Sequence, residues 1–325
     1  MSYFSAGNTG AYHGLAKPET PLMHDIVALQ HAYGANLTTR TDDTVYGFNS
    51  NADRDVFHFT HAKDQGVFAI WDAGGIDTLD MSGFLQDQVI DLTAGSFSSV
   101  GGLKHNVSIA PGVTIENALG GAGSDIIFGN DAPNALWGLR GSDVMRGGAE
   151  SDFLSGGAGS DVLYGDEGAD VLLGNSGNDR MYGSVGDDVL LGHGGKDKLM
   201  GGPGNDWLTG GGGKDILVGG SGADVFDFNR ITKSKVGGAK RDKITDFERG
   251  QDEIDLKGID AKKGTDGNQK FKWIGNSEFH HKKGELRYED KGSKVIVQGD
   301  VNGDGKTDFE IYVKVGSLNA HDFLL

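Results

Sequence analysis

Between residues 120 and 227 an apolar residue recurs at every ninth position, seven residues after a glycine. This stretch divides without a gap into twelve nonapeptides, of which residues 156–164, Gly-Gly-Ala-Gly-Ser-Asp-Val-Leu-Tyr, are representative. When the positions are numbered one to nine, glycine holds position one in all twelve copies and position four in ten. The strict phase indicates a repeat architecture, whereas the 56 glycines alone would favour a glycine-rich linker.

Positions seven to nine of each nonapeptide predict a short β-strand whose position-eight side chain points inward. A strand of three residues is too short to be stable alone. Two nonapeptides should therefore form one coil of a right-handed parallel β-roll, with coils stacked about 4.8 Å apart. Twelve nonapeptides then predict six coils and a stack about 29 Å tall.

The chain before the repeats predicts one helix and then short strands. Thr20 and Pro21 suit an N-cap and a first helical residue, and Gly34 can end the helix after Tyr33. The apolar residues between them share one helical face, which predicts a helix over residues 21–33. Apolar stretches bounded by turn residues predict strands at residues 56–59, 67–71, 89–92, 107–109 and 113–115.

After residue 227 the nine-residue phase is lost, and the pattern predicts an antiparallel β cap that covers the last coil. Its strands are expected at residues 244–247, 253–256, 271–274, 285–288, 295–297 and 309–313. The predicted fold class is therefore all-β: a parallel β-roll with flanking β-strands, an antiparallel β cap and one N-terminal helix. The predicted segments are residues 1–43, a β region leading into the roll (44–119), the roll (120–227) and the cap (228–325).

The repeats also place oxygen ligands at fixed positions. Glycines allow the positive φ angles with which a six-residue turn exposes its carbonyl oxygens, and position six is aspartate in eleven of the twelve copies. Ca²⁺ takes roughly six to eight oxygen ligands of these two kinds. The predicted calcium ligands are Asp125, Asp143, Asp152, Asp161, Asp170, Asp179, Asp188, Asp197, Asp206, Asp215 and Asp224, with the turn glycines Gly121, Gly123, Gly157, Gly159, Gly202 and Gly204.

Two nonapeptides depart from this pattern. The second has Ala132 and Asn134 at positions four and six, and the fourth has Glu150 at position four. We expect both turns to bind calcium poorly or not at all. A phosphate-binding glycine loop is a weaker alternative, because no G-x-G-x-x-G string opens a helix after a core strand.

The net charge of −17 argues against nucleic acid and anionic membranes as partners. Position-six carboxylates of successive coils would lie about 5 Å apart, and each such pair costs about 3 kcal/mol at an effective dielectric constant of about 20. Calcium ions between the loops would turn these charges into ligands, so that binding free energy becomes folding free energy. The sequence thus predicts a fold that is conditional on calcium.

The sequence also indicates in which cellular compartment the protein folds. The chain has no cysteine, so disulfides and thiolate metal sites are excluded. It shows neither an apolar run of transmembrane length nor an N-terminal signal peptide. A calcium-dependent fold belongs outside the cell, where calcium is millimolar. We therefore expect secretion that uses a signal other than an N-terminal signal peptide.

Long stretches outside the repeats resemble the C-terminal portion of serralysin-type zinc metalloproteases, which are secreted metzincins with an RTX β-roll. Residues 44–51, 71–78, 100–109 and 112–117 resemble the part that leads into the family's roll. Residues 23–36 resemble the last helix of its protease domain. Met1-Ser-Tyr3 resembles the Met-turn, in which the tyrosine is a labile zinc ligand. Residues 1–43 would then be the end of a protease domain.

The resemblance implies two further calcium sites before the repeats. Carbonyl and carboxylate oxygens dominate their ligand set, which suits a hard cation. The alternative is that Asp72 and Asp77 only stabilise glycine-rich turns. The implied ligands are Arg40, Asp42, Thr44, Asp72, Gly74, Gly75, Asp77, Thr114 and Glu116.

The family's zinc motif, H-E-x-x-H-x-x-G-x-x-H, has no counterpart in this sequence. His58 and His61 have the wrong spacing and no glutamate between them, and His24 and His31 would need a third ligand. Without three zinc ligands and a glutamate base, the chain lacks the residues with which zinc would activate a water molecule. Zinc is therefore not expected, Tyr3 would be vestigial, and protease activity is not expected of the chain as it stands. A cysteine nucleophile and a G-x-S-x-G elbow are also absent.

Two features lie near the C-terminus. Residues 300–308 resemble the first half of an EF-hand loop, but Ile311 stands where a bidentate glutamate is required. A calcium-stabilised turn and an Asx turn both remain open there. Residues 322–325, Asp-Phe-Leu-Leu, resemble the uncleaved ends of serralysin-like substrates of type I secretion.

These observations favour a calcium-binding, secreted, extracellular RTX β-roll protein, the C-terminal export and folding module of a serralysin-like metalloprotease. The expected partner is the type I secretion machinery, and we expect a monomer without membrane insertion. One alternative is an active extracellular zinc metalloendopeptidase whose catalytic half is missing from this chain. The other is a stand-alone structural or adhesive RTX protein. The helix at residues 21–33, without a partner domain, favours the first alternative over the second.

Overall fold

The computed structural model describes residues 20–229, 234, 236–237, 241–264 and 267–325. Within them there is one α-helix, α1 (Met23–Tyr33), with two 3₁₀ turns (Asp55–Phe57 and Ala320–Asp322) and many short strands. No helix in this part of the chain is long and apolar enough to cross a membrane. The predicted all-β class with one N-terminal helix is confirmed. The chain divides into two compact units, Met1–Leu163 and Tyr164–Leu325.

Helix α1 ends at Tyr33 as predicted, but its N-cap is Leu22, so the prediction of Thr20 as N-cap is wrong. The backbone N–H of Leu22 donates to the carboxylate of Asp25. The Thr20 hydroxyl instead accepts the backbone N–H of Ala69, which ties this segment to the β-structure. No residue of α1 is buried.

In the first unit most strand pairs are parallel. One sheet has the order β2-β1-β4-β8-β10-β12, a second has β5-β9-β11, and a third has β3-β7-β6, of which only the pair β6–β7 is antiparallel. The strands are β1 (Val45–Phe48), β2 (His58–Phe59), β3 (Phe68–Ile70), β4 (Thr78–Asp80), β5 (Val89–Asp91), β6 (Phe97–Ser98), β7 (Val107–Ile109), β8 (Asn117–Leu119), β9 (Ile126–Phe128), β10 (Ala135–Arg140), β11 (Val144–Gly148) and β12 (Phe153–Ala158). Strand β13 (Val162–Glu167) spans the boundary between the units.

The region before the repeats has its own aromatic core. Phe48 packs edge-on against Phe84 at a centroid distance of 5.0 Å, and Tyr46 does so against Phe57 at 5.2 Å. The strand predicted at residues 113–115 is wrong: Val113 and Ile115 are buried, but the strand is β8, which begins at Asn117.

The second unit continues the parallel pattern and adds an antiparallel end. One sheet has the order β14-β16-β19-β22-β24-β29 and the other β15-β18-β21-β23-β28-β27-β26-β25. The strands are β14 (Val171–Ser176), β15 (Arg180–Val185), β16 (Val189–Leu191), β17 (Gly194–Gly195), β18 (Lys198–Pro203), β19 (Trp207–Thr209), β20 (Gly212–Gly213), β21 (Ile216–Ser221), β22 (Val225–Asp227), β23 (Asp242–Ile244), β24 (Glu253–Asp255), β25 (Lys272–Trp273), β26 (Glu285–Asp290), β27 (Val295–Asp300), β28 (Phe309–Val313) and β29 (Phe323–Leu324).

The prediction of an antiparallel cap is correct only in part. Strands β26, β27 and β28 are antiparallel. Strands β23, β24 and β29 instead continue the parallel ladders that begin in the repeats. They do so because residues such as Ile244 and Ile254 take the inward place of a position-eight residue, paired with Leu217 and Phe226.

In each unit a repeat strand pairs with the strand two nonapeptides away. Ala135 pairs with Phe153, and Val171 with Val189, both in parallel. Two nonapeptides therefore make one coil, as predicted, and successive nonapeptides alternate between two sheets. All position-eight side chains have no exposed surface: Ile127, Leu136, Met145, Leu154, Leu163, Leu172, Met181, Leu190, Leu199, Leu208, Leu217 and Phe226. Complete burial of each contributes about 1.5–3 kcal/mol.

Several strands are longer than the three residues predicted. Strand β21, for example, continues through Gly220 into Ser221, because positions two and three pair with Gly202 and Pro203 one coil earlier. The turns between strands are correspondingly tight.

The close stacking of coils explains the glycine at position four. Gly195 has φ +154°, and an ideal Cβ there would lie 1.3 Å from the carbonyl oxygen of Gly177 in the coil before. Its neighbour Gly194 has no positive φ, and an added Cβ would meet nothing closer than the Asn175 oxygen at 3.6 Å.

We expect Gly195→Ala to lower the free energy of unfolding by well over about 1 kcal/mol, because a Cβ at this φ overlaps the backbone of the neighbouring coil. Gly194→Ala, one residue away, should change it by less than about 0.5 kcal/mol. Urea denaturation of both variants in calcium-containing buffer measures the difference. Equal destabilisation by the two substitutions would contradict this role of position four.

Candidate metal centre

The position-six aspartates stack in rows along each unit. The backbone N–H of one aspartate donates to Oδ1 of the aspartate one coil further on, at 2.7–3.0 Å. This bond fixes the carboxylate and the coil spacing together. The observed pairs are Asp125 to Asp143, Asp143 to Asp161, Asp170 to Asp188, Asp188 to Asp206, Asp206 to Asp224, Asp179 to Asp197 and Asp197 to Asp215.

The second carboxylate oxygen has a different environment. The Oδ2 atoms of Asp143, Asp188, Asp197, Asp206 and Asp224 are buried and accept no hydrogen bond from any described residue. Buried polar atoms are nearly always satisfied in folded proteins, so each such atom needs an explanation. A cation is the simplest group that would satisfy an oxygen of this kind.

Glycine at position one makes room for this oxygen. An ideal Cβ on Gly183 would lie 2.3 Å from Oδ2 of Asp188, and one on Gly201 would lie 2.1 Å from Oδ2 of Asp206. A side chain at position one would therefore displace the carboxylate. This accounts for glycine in all twelve copies better than backbone flexibility does.

Burial raises the pKa of Asp143, Asp188, Asp197 and Asp224 from 3.8 to about 7, and that of Asp206 to about 6. Carboxylates of adjacent coils raise it further, and the backbone N–H from the preceding coil is the main opposing influence. A row of aspartates without cations is thus expected to hold protons near neutral pH.

Backbone carbonyls approach the same turns. The Gly141 oxygen lies so close to Gly159 that an ideal Cβ would come within 1.4 Å of it, and the Leu139 oxygen lies similarly near Gly157. Positions two and four therefore present carbonyl oxygens towards the next coil. Carbonyls and carboxylates are the two ligand types that a calcium ion requires.

The rows extend beyond the repeats, to two aspartates that were not among the predicted ligands. The N–H of Asp215 donates to Asp242, and that of Asp224 donates to Asp252. The signal was present, because Asp242-Lys-Ile244 and Asp252-Glu-Ile254 keep the spacing of positions six and eight. Here the carboxylates have additional partners: Asp252 Oδ2 accepts the N–H of Glu248, and Asp242 is hydrogen-bonded to Ser234. Burial raises the pKa of Asp242 to about 8.

The first row starts before the repeats in the same way. The Gln88 N–H donates to Oδ1 of Asp125, and the Gly121 N–H donates to its Oδ2 at 2.6 Å. Asp125 therefore differs from Asp143 and Asp188, whose Oδ2 atoms accept no described hydrogen bond, because both of its own oxygens are occupied.

Part of the ligand set implied before the repeats does come together. The Thr44 N–H donates to Asp77 Oδ1, the Asp77 N–H donates to Glu116, and Asp77 Oδ2 is buried without a described partner. Burial, with Asp72 and Glu116 nearby, raises the pKa of Asp77 to about 7. The Asp72 carboxylate accepts the hydroxyl of Tyr46 at 2.6 Å.

Other members of that set have different surroundings. Gly75, next to Gly74 in a turn with positive φ, lies against the backbone carbonyl of Asp42. The Arg40 guanidinium binds Asp53 and the Trp71 carbonyl. Because this group is itself a cation and only donates hydrogen bonds, only the backbone oxygen of Arg40 suits a metal ion. Thr114 is exposed and lines a separate cavity with Thr93 and Asn130.

The departures from the repeat alter single turns. Asn134 takes the place of the aspartate, but its amide donates to the Glu116 carbonyl, where a carboxylate would offer an oxygen. Glu150 holds the position-four conformation with φ 63°, which costs strain in a residue other than glycine. The weak calcium binding expected of these two turns stays a prediction.

The residues considered for zinc and the EF-hand-like loop do not form a further metal site among the described residues. Tyr3 lies outside the described residues. His58 contacts the Ala52 carbonyl and His61 contacts Thr60, so the two do not converge. In the EF-hand-like loop both Asp300 oxygens accept backbone N–H groups, from Gly303 and Gly305, which favours the Asx turn.

Among the described residues no three His, Cys, Asp or Glu side chains form one metal-holding group. The carboxylates are instead distributed one per turn along the rows. A cation in this structure would therefore draw most of its ligands from backbone carbonyls.

The chain matches one known protein family over most of its length. The model of the peptidase M10 serralysin C-terminal family matches residues 35–325. Serralysin of Proteus mirabilis is 60% identical over 136 residues, which are 42% of this chain and 28% of that protein. Metalloprotease AprA of Pseudomonas entomophila is 55% identical over 140 residues, 42% of this chain and 29% of that protein. The matched part of the chain thus covers less than a third of the length of each of these relatives.

Two solved structures also resemble the chain. They are the AlgE6R2 and AlgE6R3 subunits of the Azotobacter vinelandii mannuronan C5-epimerase. The first is 26% identical with a TM-score of 0.36, covering 48% of this chain and 91% of that one. The second is 22% identical with a TM-score of 0.19, covering 54% and 78%.

The raised pKa values predict how pH acts on the calcium-free protein. When the folded pKa lies near 7 and the ordinary value is 3.8, the folded state binds more protons. This contribution to stability is fully present below the ordinary pKa and is lost as pH rises through about 7. In EDTA, the thermal midpoint and the β signal in circular dichroism should fall between about pH 5 and pH 8.

Excess calcium should flatten or reverse this trend, because the ion requires ionised carboxylates. A calcium-free midpoint that rises between these pH values would contradict the assignment of raised pKa values.

Proposed function

The chain belongs to the peptidase M10 serralysin C-terminal family, and from this premise we propose that it is a calcium-binding β-roll whose coils close when calcium neutralises the aspartate rows. The observation that carries the proposal is the set of buried Oδ2 atoms, at Asp143, Asp188, Asp197, Asp206 and Asp224, that accept no described hydrogen bond.

The donor set fits calcium better than other common ions. The turns offer carboxylate and carbonyl oxygens, and the chain has no cysteine for a softer metal. Magnesium demands near-ideal octahedral geometry and keeps several waters, whereas calcium accepts irregular cages of carbonyls. The residues that would hold it are the position-six aspartates with the carbonyls of positions two and four, and Asp77 with Glu116 before the repeats.

Calcium would supply positive charge between the coils, and the chain's own groups orient the carboxylates and pack the sheets together. The N–H of one aspartate orients the carboxylate of the next coil. Glycine at position one keeps Oδ2 in place, and the position-eight side chains hold the two sheets together. Binding and folding are therefore one process in this proposal, since an open chain offers no paired turns.

Secretion through a type I route is part of the proposal. In the folded unit Asp322 is 2% exposed, and Phe323 pairs with Ile254. The acidic-apolar C-terminus is therefore accessible to an export machinery only before the cap has formed. Low calcium inside the cell would keep it accessible, and millimolar calcium outside would complete the fold.

A second candidate is that the chain serves within an active zinc metalloendopeptidase. Helix α1 favours it, since Val27 and Leu29 are 41% and 51% exposed, and the helix borders a cavity of about 280 Å³ lined by Ile26, Phe57 and Trp71. Such a face suits a further packed segment. This chain alone, with added zinc, should leave casein intact; zinc-dependent cleavage would refute the view that the catalytic machinery lies elsewhere.

Asp188→Asn tests the calcium proposal directly. Asparagine keeps Oδ1 as acceptor for the Asp170 N–H and replaces the buried Oδ2 with an amide, so the calcium midpoint of folding should rise about tenfold. The same variant should be more folded in EDTA near neutral pH, because a buried carboxylate has been removed. Circular dichroism during a calcium titration measures both effects.

The matched control is Asp187→Asn, which changes net charge equally at the neighbouring residue. Asp187 is exposed, and its Oδ1 accepts the Asn205 N–H. Its calcium midpoint should stay close to that of the unmodified protein. If both variants shift the midpoint equally, overall charge and not the aspartate row governs folding.

A further inference from the structure

One outward face of the second unit carries basic residues and no acidic ones. It is formed by the outward positions of β15, β18, β21 and β23, where side chains alternate with the buried core positions. In a chain of net charge −17 this is a strong local reversal. The residues at positions seven and nine and their equivalents are Arg180, Tyr182, Lys198, Met200, Ile216, Val218, Lys243 and Thr245.

The strand register arranges these residues in lines. Arg180 pairs with Lys198, Lys198 with Ile216, Ile216 with Lys243, and Lys243 with Tyr312. Neighbouring strands lie about 4.8 Å apart, so this line is about 19 Å long. Tyr182, Met200 and Val218 form a second line, two residues along each strand, about 7 Å away.

The end of the first line is reinforced. The ammonium groups of Lys243 and Lys294 both lie over the ring of Tyr312, at 5.5 and 5.6 Å from its centroid. We call Arg180, Lys198, Lys243 and Lys294, with Tyr312 between the last two, the cation track.

The four cations of the track are available to a ligand. Arg180, Lys198 and Lys294 are exposed and Lys243 is half-buried. None of the four forms an ion pair with a described residue. Four other basic residues of this unit are paired, namely Arg241 with Glu310, Arg249 with Asp322, Arg287 with Glu278 and Lys291 with Glu289. Exposed lysines outside the strands, such as Lys257 and Lys262, form no line along a sheet.

The other sheet of the same unit shows that this distribution is specific to one face. The outward positions of β14, β16, β19, β22 and β24 hold apolar residues such as Leu173 and Trp207, and no basic residue. Three acids lie at its end, Asp227, Glu253 and Asp255. Further along the track's own sheet, the acids Glu310 of β28 and Glu289 of β26 are paired with Arg241 and Lys291. The outward face of β15, β18, β21 and β23 is therefore basic, whereas that of β22 and β24 is acidic.

We propose that the cation track binds an anionic polysaccharide. The chain of sugars would lie along the track, with carboxylate or sulfate groups at the four cations and the apolar faces of its rings on Tyr182, Met200 and Val218. Arg180 and Lys198 are one strand apart, and Lys198 and Lys243 are two strands apart on either side of Ile216. This spacing suits a polymer whose charged units repeat at about the length of one or two sugars. The acids of the opposite sheet, about 10 Å away, are largely screened at physiological ionic strength.

Two other anionic partners fit less well. Single-stranded nucleic acid that is bound without sequence preference stacks its bases on aromatic rings, but Tyr182 is already stacked on Tyr164, at 4.8 Å between centroids and 9° between planes. An anionic membrane requires apolar side chains that insert into it, whereas Tyr182, Met200 and Val218 are half-buried.

The test uses the full chain in millimolar calcium with fluorescein-labelled chondroitin sulfate, measured by fluorescence anisotropy. The quadruple variant Arg180→Gln/Lys198→Gln/Lys243→Gln/Lys294→Gln should bind about tenfold more weakly or worse, because each exposed charge contributes a modest share. The control is Lys257→Gln/Lys262→Gln/Lys270→Gln/Lys282→Gln, which removes the same charge from exposed residues outside the strands and should bind like the unmodified protein.

The outcomes separate the explanations. Both variants should keep the circular dichroism spectrum and calcium midpoint of the unmodified protein, so failure of the calcium proposal would be seen independently. Neutral dextran should not bind. Equal binding by the two quadruple variants would overturn the proposal. Tighter binding of an oligothymidylate, or sedimentation with vesicles rich in phosphatidylserine, would overturn it in favour of nucleic acid or membrane.

Discussion

The hydrogen bond from the backbone N–H of one position-six aspartate to the carboxylate of the next coil is the interaction on which the rest of the structure depends. It sets the coil spacing and turns one oxygen of the carboxylate away from the backbone. At Asp143, Asp188 and Asp197 that oxygen is buried and accepts no described hydrogen bond. The same contact that stacks the coils therefore accumulates buried carboxylates, and in the proposed function protons or cations must neutralise them before the stack is stable.

The glycines follow from this constraint. Position one must leave room for Oδ2, and position four must let two backbones approach within van der Waals contact, as Gly195 does with Gly177. Positions two and three tolerate more variety, and non-glycine residues such as Asn175 and His193 adopt positive φ there. The residue at each position of the nonapeptide therefore depends on whether that position faces the carboxylate or the solvent.

Much of this could be predicted from the sequence because it is periodic. The phase of Leu163 and Asp161 repeats in every coil, so one coil implies the next. What escaped prediction lies where the phase breaks but the geometry persists. Asp242 and Asp252 continue the rows after loops of irregular length, and only the Asp-x-apolar spacing marks them. Strand pairing beyond position nine, as at Gly220, also has no local signal, because it depends on backbone stacking. The surroundings of Arg40 and Thr114 depend on tertiary contacts that no motif specifies.

In the proposed function, cations bound between the coils along the aspartate rows complete the fold. The most direct measurement is far-ultraviolet circular dichroism of the full chain at about pH 8, above the pKa values of about 7 at Asp143, Asp188 and Asp197, first in EDTA and then through a calcium titration to millimolar concentration. We expect a largely unfolded spectrum in EDTA and a cooperative rise of β signal as calcium is added, with magnesium unable to replace it. A full β spectrum in EDTA that calcium leaves unchanged would contradict this expectation.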